Sequence, residues 1–202
     1  MGVSQDYRSY PPTSQPLQIG IQSAKTGTLS SMATPTVGDE IAVMQTNYGK
    51  IVIQFFPDKA PKHVENFKKL AREGFYDGTK FHRVIPGFMI QGGDPNSKSD
   101  DRSIHGTGGP GHRIPQEFND TPHDRGILSA ARSSDPNSAG SQFFLMVARS
   151  PHLDRQYSVY GEIIEGLDVV DKIVALPRDH RDNPLPANPA IIESVTIETF
   201  GN

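Results

Sequence analysis

Apolar and polar residues alternate in short bursts along most of this chain, and helical periodicity is confined to two places. Ile41-Ala42-Val43-Met44 and Ile51-Val52-Ile53-Gln54-Phe55-Phe56 are rich in strand-forming side chains. Asn47-Tyr48-Gly49-Lys50 between them predicts a hairpin. Val64, Phe67, Leu70 and Ala71 then recur at spacings of three and four, with Lys62, Glu65 and Lys69 between them. That spacing predicts a helix with one buried stripe. Asp58 is the expected cap, Pro61 falls in the first turn where no donor is lost, and Gly74 and Gly78 end the element.

The stretch Phe81-His82-Arg83-Val84-Ile85-Pro86-Gly87-Phe88-Met89-Ile90-Gln91-Gly92-Gly93-Asp94 predicts two short strands around a Pro-Gly turn. Period-two alternation puts Phe81 and Arg83 on one face with His82 and Val84 opposite. It also puts Met89 and Gln91 together with Phe88 and Ile90 opposite. His82 is thereby expected to be a core histidine satisfied by hydrogen bonds. A guanidinium among Phe and Met presents rigid donors in a weakly competing dielectric.

Further strands are predicted at Gly126–Ala131, Ser141–Val147 and Tyr157–Gly161, with Gln142 and Phe144 sharing a face. A second helix covers Gly166–Val174, with Leu167, Val170, Ile173 and Val174 inward. A closing strand runs from Ile191 to Glu198 with Ile191, Val195 and Ile197 in phase. About eight strands, two isolated helices and no β-α-β alternation predict an antiparallel barrel with helices on its ends.

Composition sets the boundaries. Residues 1–38 are rich in Ser, Thr, Gln and Pro and predict a flexible tail, leaving residues 39–202 as the folded domain. The chain of 202 residues has no cysteine, which excludes disulfides, thiolate metal sites and a Cys nucleophile. A net charge of −3 gives no basic field for nucleic acid or anionic lipid. No apolar run approaches a membrane span and no secretory signal is visible, so a soluble cytoplasmic protein, working as a monomer, is expected.

With FHRVIPGFMIQGGD, Gly106-Thr107-Gly108-Gly109 and Gly140-Ser141-Gln142-Phe143-Phe144 in this order, the chain resembles the cyclophilins from Glu40 to Phe200. These are peptidyl-prolyl cis-trans isomerases. The resemblance implies a mainly β fold, an eight-stranded antiparallel closed barrel capped by two α-helices, with the groove on its outer surface. It also implies activity on Xaa-Pro bonds of peptides and unfolded proteins. Arg83 would be the catalytic arginine. Phe88, Met89, Phe144 and Leu153 would form the proline pocket, Gln91 and Gln142 the polar contacts, and Ala131 and Arg132 the edge along the peptide backbone. His152 stands where many members carry Trp, so cyclosporin binding would be weakened. Tyr157 replaces a common His, and Arg132 a common Asn.

The residues suit that chemistry. Turning an imide bond breaks no covalent link, so no nucleophile, metal or cofactor is required, and none is expected. A donor that favours the twisted amide is required, and arginine keeps its proton at working pH. Competing readings are weaker. Gly106–Gly111 matches a dinucleotide fingerprint but no helix follows it, so a Gly-rich loop bordering a groove is expected. His105, His112 and His123 have no metal-ligand spacing and are expected on surface loops. Ser129 and Ser141 lie outside any nucleophile-elbow sequence, against a Ser/His/Asp hydrolase. A module that binds proline-containing segments, with incidental turnover, uses the same pocket and is the main alternative.

Overall fold

The computed structural model describes residues 34–201. Most of the expected tail lies outside the described residues. The segment just after Thr34 is tied to the body: the Thr36 amide and hydroxyl both donate to Asp39 at 2.8 Å. Gly38 N–H donates to the carbonyl of Phe200 at 3.0 Å.

Eight strands form one sheet: β1 (Glu40–Thr46), β2 (Gly49–Phe55), β3 (Arg83–Ile85), β4 (Met89–Gly92), β5 (Ile127–Ala130), β6 (Phe143–Met146), β7 (Val159–Glu165) and β8 (Ile192–Thr199). Two helices, α1 (Pro61–Arg72) and α2 (Leu167–Val174), cap it. The order is β3-β4-β6-β5-β7-β2-β1-β8, and every pairing is antiparallel.

The expected closed barrel is corrected: the sheet is an open half-barrel. Its terminal strands β3 and β8 do not form a ladder. One bridge, Lys80 to Ile191, joins the segments beside them, flanked by Phe81 N–H to Ala190 O at 2.9 Å and Ile192 N–H to Thr79 O at 2.8 Å. The cause is local. β3 is three residues long, and its Val84 N–H donates to Asp182 O at 2.8 Å, a loop carbonyl rather than β8.

The α1 stripe is as the spacing predicts, with Val64, Phe67, Leu70 and Ala71 buried. Its cap is not Asp58. Ala60 occupies the cap position without a side-chain bond, and Pro61 is the first helical residue. The free N–H groups of Lys62 and His63 instead donate to the Glu117 carboxylate at 3.1 and 3.0 Å, satisfying donors that a helix start leaves open. Phe67 then anchors the core, its ring 4.9 Å from Tyr76 and 5.6 Å from both Phe55 and Phe143.

Period two fails in three places, each where the backbone departs from a regular ladder. Phe81 precedes β3 and turns into the core against Phe143, away from exposed Arg83. Phe88 sits in the turn before β4 and joins Met89 on the outer face, whereas Ile90 goes inward. In β8 it is Ile192, not Ile191, that is fully buried with Val195, because a bulge opposite Gln45 and Thr46 shifts the register. Among the described residues, no helix is long and apolar enough to cross a membrane.

Candidate active site

Sheet register builds the site. Arg83 lies opposite Gln91, Gln91 opposite Phe144, and Phe144 opposite Ser129, a single row running across β3, β4, β6 and β5. Directly opposed residues share a face, so these four side chains stand on the sheet's outer face, with Ser129 covered there by other side chains. Their chain neighbours Val84, Ile90, Phe143 and Leu128 point into the core. On the outer face Met89, Ile127, Phe144, Met146, Leu153 and Val159 form a second apolar cluster.

Over that cluster lies a cavity of about 190 Å³. Phe88, Met89, Phe144 and Leu153 supply its apolar wall, and Arg83 and Gln91 its polar rim. Ala131, Arg132 and Tyr157 complete it. Two expected residues are placed elsewhere. Gln142 lines an adjoining cavity of about 590 Å³ that shares Gln91, Ala131 and Arg132 with the first. His152 is exposed beside the pocket, its ring 5.7 Å from that of Phe88. The Gly106–Gly111 loop borders the larger cavity.

The charged groups differ sharply in how they are held. Arg83 is exposed, and among the described residues its guanidinium has no hydrogen-bond or ion-pair partner. Arg132 is fully engaged. Its Nε and Nη2 donate to Gln156 O at 3.3 and 3.0 Å, and its Nη1 donates to Ser133 O at 2.9 Å. Its guanidinium carbon also stacks 4.5 Å from the Tyr157 ring centroid and 5.9 Å from that of Phe118. Arg132 and Tyr157 thus pack on each other in the wall of the smaller cavity, and Arg132 also lines the larger one.

Sequence reasoning missed what stands behind Phe144. His123 is fully buried, and its ring stacks on Phe144 at 6.1 Å and meets Tyr157 edge-on at 6.4 Å. Its Nδ1 lies 3.1 Å from the Asp154 carboxylate, which accepts, so the neutral ring carries its proton there. Its Nε2 lies 3.1 Å from Ser129 Oγ. Ser129, His123 and Asp154 therefore do line up as the hydrolase reading requires. Ser129 is nevertheless wholly buried and also 3.1 Å from Ser158 O, so no substrate reaches it. Burial lowers the His123 pKa, against an opposing pull from Asp154.

The other histidines are corrected too. His105 is buried between Ser99 O and Asn183, both at 2.9 Å, and only His112 of the three is exposed, 2.6 Å from Asn66. His82 is buried, but among the described residues neither ring nitrogen has a hydrogen-bond partner. Burial pushes its pKa down to about 4, with Asp94 opposing. Among the described residues, no group of three or more His, Asp or Glu could hold a metal ion.

Comparison with known proteins matches this architecture. The model of the family described as cyclophilin type peptidyl-prolyl cis-trans isomerase/CLD matches residues 41–197. A probable peptidyl-prolyl cis-trans isomerase of Brucella abortus is 43% identical over 165 residues, covering 79% of this chain and 83% of the relative. Peptidyl-prolyl cis-trans isomerase A of Mycobacterium tuberculosis is 40% identical over 188 residues, covering 84% and 96%. The crystal structure of a Cryptosporidium parvum cyclophilin in the presence of the dipeptide Ala-Pro superposes with a TM-score of 0.71 at 34% identity, covering 79% of this chain and 99% of that one. Shared sequence, shared fold and an outer-face groove agree, and this chain belongs to the cyclophilin-type peptidyl-prolyl cis-trans isomerases.

Proposed function

We propose that the Arg83 groove isomerises Xaa-Pro bonds in peptides and in unfolded or flexible protein segments, and that Arg83 donates to the prolyl nitrogen as the amide twists. The observation that carries this is a guanidinium, without a partner among the described residues, on the rim of a proline-sized apolar cavity. Rotation must overcome roughly 18–20 kcal/mol of amide resonance and unaided takes on the order of 10–100 s. As the bond twists, the nitrogen regains its lone pair, and a donor aimed there is stronger in the transition state than in either isomer. Reaching milliseconds requires roughly 5–6 kcal/mol, whereas one preorganised donor supplies roughly 2.7–4 kcal/mol. Phe88, Met89, Phe144 and Leu153 contribute the remainder by gripping the ring while Gln91 holds a substrate carbonyl. Arg83→Ala should lower kcat/KM by roughly 10²–10³-fold in an NMR exchange assay on a proline peptide, and full activity in that variant would overturn the role. Residues 39–202 are proposed to carry this activity alone. Deleting residues 1–33, which leaves the Thr36–Asp39 contacts in place, should not change kcat/KM.

A further inference from the structure

Arg83 also borders a separate cavity of about 210 Å³, which shares only Arg83 and Gln91 with the apolar pocket. Its remaining lining is His82, His105, Gly106, Arg181 and Asn183, and no carboxylate is among them. The carboxylates nearby are already engaged. Asp179 holds Arg102 at 2.6 Å and accepts from the Arg181 and Asn183 amides at 2.8 and 3.1 Å. Asp182 pairs with Arg178 at 3.3 Å. Buried Asp94 accepts from the amides of Asn96, Gly106 and Gly108.

What is left over is positive. Arg83 has no partner among the described residues, and the Arg181 guanidinium reaches only the carbonyls of Arg102 and Ser103, at 3.3 and 3.4 Å. His82 adds an independent sign: it is 5% exposed, with both ring nitrogens unbonded among the described residues, beside the same Gly106. Two guanidiniums converging on one hollow match the planar, bidentate demands of a carboxylate. Arginine carries five donors, so Arg83 can serve the prolyl nitrogen and still offer N–H groups on its other edge.

We infer that this cavity is a subsite for an acidic side chain of the substrate, an Asp or Glu close to the proline in sequence, and that Arg181 is a specificity-determining residue. The inference rests on Arg83 being the catalytic group. The carboxylate is held in the ground state as well as in the transition state, so the gain falls on KM rather than on kcat.

The test is a set of proline peptides with Glu, Gln or Lys at each position within two residues of the proline. They are assayed with the full chain and with Arg181→Ala, Arg181→Lys and Arg181→Glu. At one position Glu should be preferred over Gln by roughly two- to fivefold in kcat/KM, as expected of a partly exposed pair. The preference should shrink at high salt. It should disappear in Arg181→Ala, persist in part in Arg181→Lys and turn toward Lys in Arg181→Glu. Turnover of the Gln peptides should be the same in all four proteins. Equal rates for Glu and Gln at every position, or a Glu preference untouched in Arg181→Ala, would overturn the subsite and leave the isomerase reading standing. Wild-type failure on the Gln peptides would overturn both.

Discussion

Gln91 donates from Nε2 to Oε1 of Gln142 at 3.0 Å, and this bond fixes which way both amides face. Gln142 Nε2 must donate to the carbonyls of Gly106 and Gly108, at 3.0 and 2.9 Å. Its oxygen is therefore the only atom left to accept, and Gln91 must present nitrogen to it. One N–H of Gln91 is spent and the other remains for a substrate carbonyl. Gln142 thus acts through Gln91. Gln91→Ala and Gln142→Ala should be non-additive in kcat/KM, with a coupling of about 0.5–3 kcal/mol in a double-mutant cycle. Strict additivity would show that the bond does no positioning.

Stability should fall with acid earlier than carboxylates alone would cause. Burial lowers the pKa of His63, His82 and His123, that of His82 to about 4. The unfolded chain takes up protons below about 6.5 that the native state refuses, so stability rises with pH across this window. It is fully present above about 6.5 and is lost as pH falls toward 4. His82 alone accounts for on the order of 3 kcal/mol. Urea midpoints at pH 7 and pH 4.5 check this, and a midpoint constant between them would contradict it.

Gly93 should tolerate no side chain. Its φ of +84° lies in the left-handed region, and an added Cβ would stand 2.3 Å from the carbonyl of Ser141, whose hydroxyl in turn donates to Gly93 O at 2.7 Å. Gly93→Ala should cost at least about 2 kcal/mol, combining backbone strain with the clash. Chemical denaturation reads it directly, and a loss within about 0.5 kcal/mol would place Gly93 among ordinary surface positions.

Cyclosporin recognition is proposed to be limited by His152. Its ring is exposed and 5.7 Å from Phe88, at the open edge of the apolar cluster. His152→Trp adds apolar area at that edge and should tighten cyclosporin by about tenfold, on the scale of 1–2 kcal/mol for part of an aromatic side chain. Calorimetric titration of both proteins measures it; equal affinities would relocate the limitation to Arg132 or Tyr157.

Alternation made much of the site legible in the chain itself. Met89 with Gln91, and Gln142 with Phe144, fall together because β4 and the approach to β6 are extended. Phe81 and Phe88 were misplaced because each sits just outside a strand, where period two has no authority. The start of α1 was misread for a different reason: the carboxylate that accepts from its first turn belongs to Glu117, 55 residues beyond Lys62, and no local pattern announces it. In the Ser129, His123 and Asp154 alignment, Ser129 follows His123 by six residues but Asp154 lies 31 residues beyond His123, and only the fold brings it to the histidine. At the open seam Val84 N–H donates to Asp182 O, a carbonyl in a loop far along the chain that no local pattern announces.

The two-sided character of β4 and β6 restricts how such a molecule can diversify. Ile90, Phe143 and Leu145 have no exposure at all, and each shares a backbone with a groove residue one position away. Altering the floor of the groove therefore disturbs the interior, and the interior admits few volumes. New preferences for substrate are easiest to acquire at the margins, in the loops bearing Arg132, His152 and Arg181, which surround this tightly packed centre.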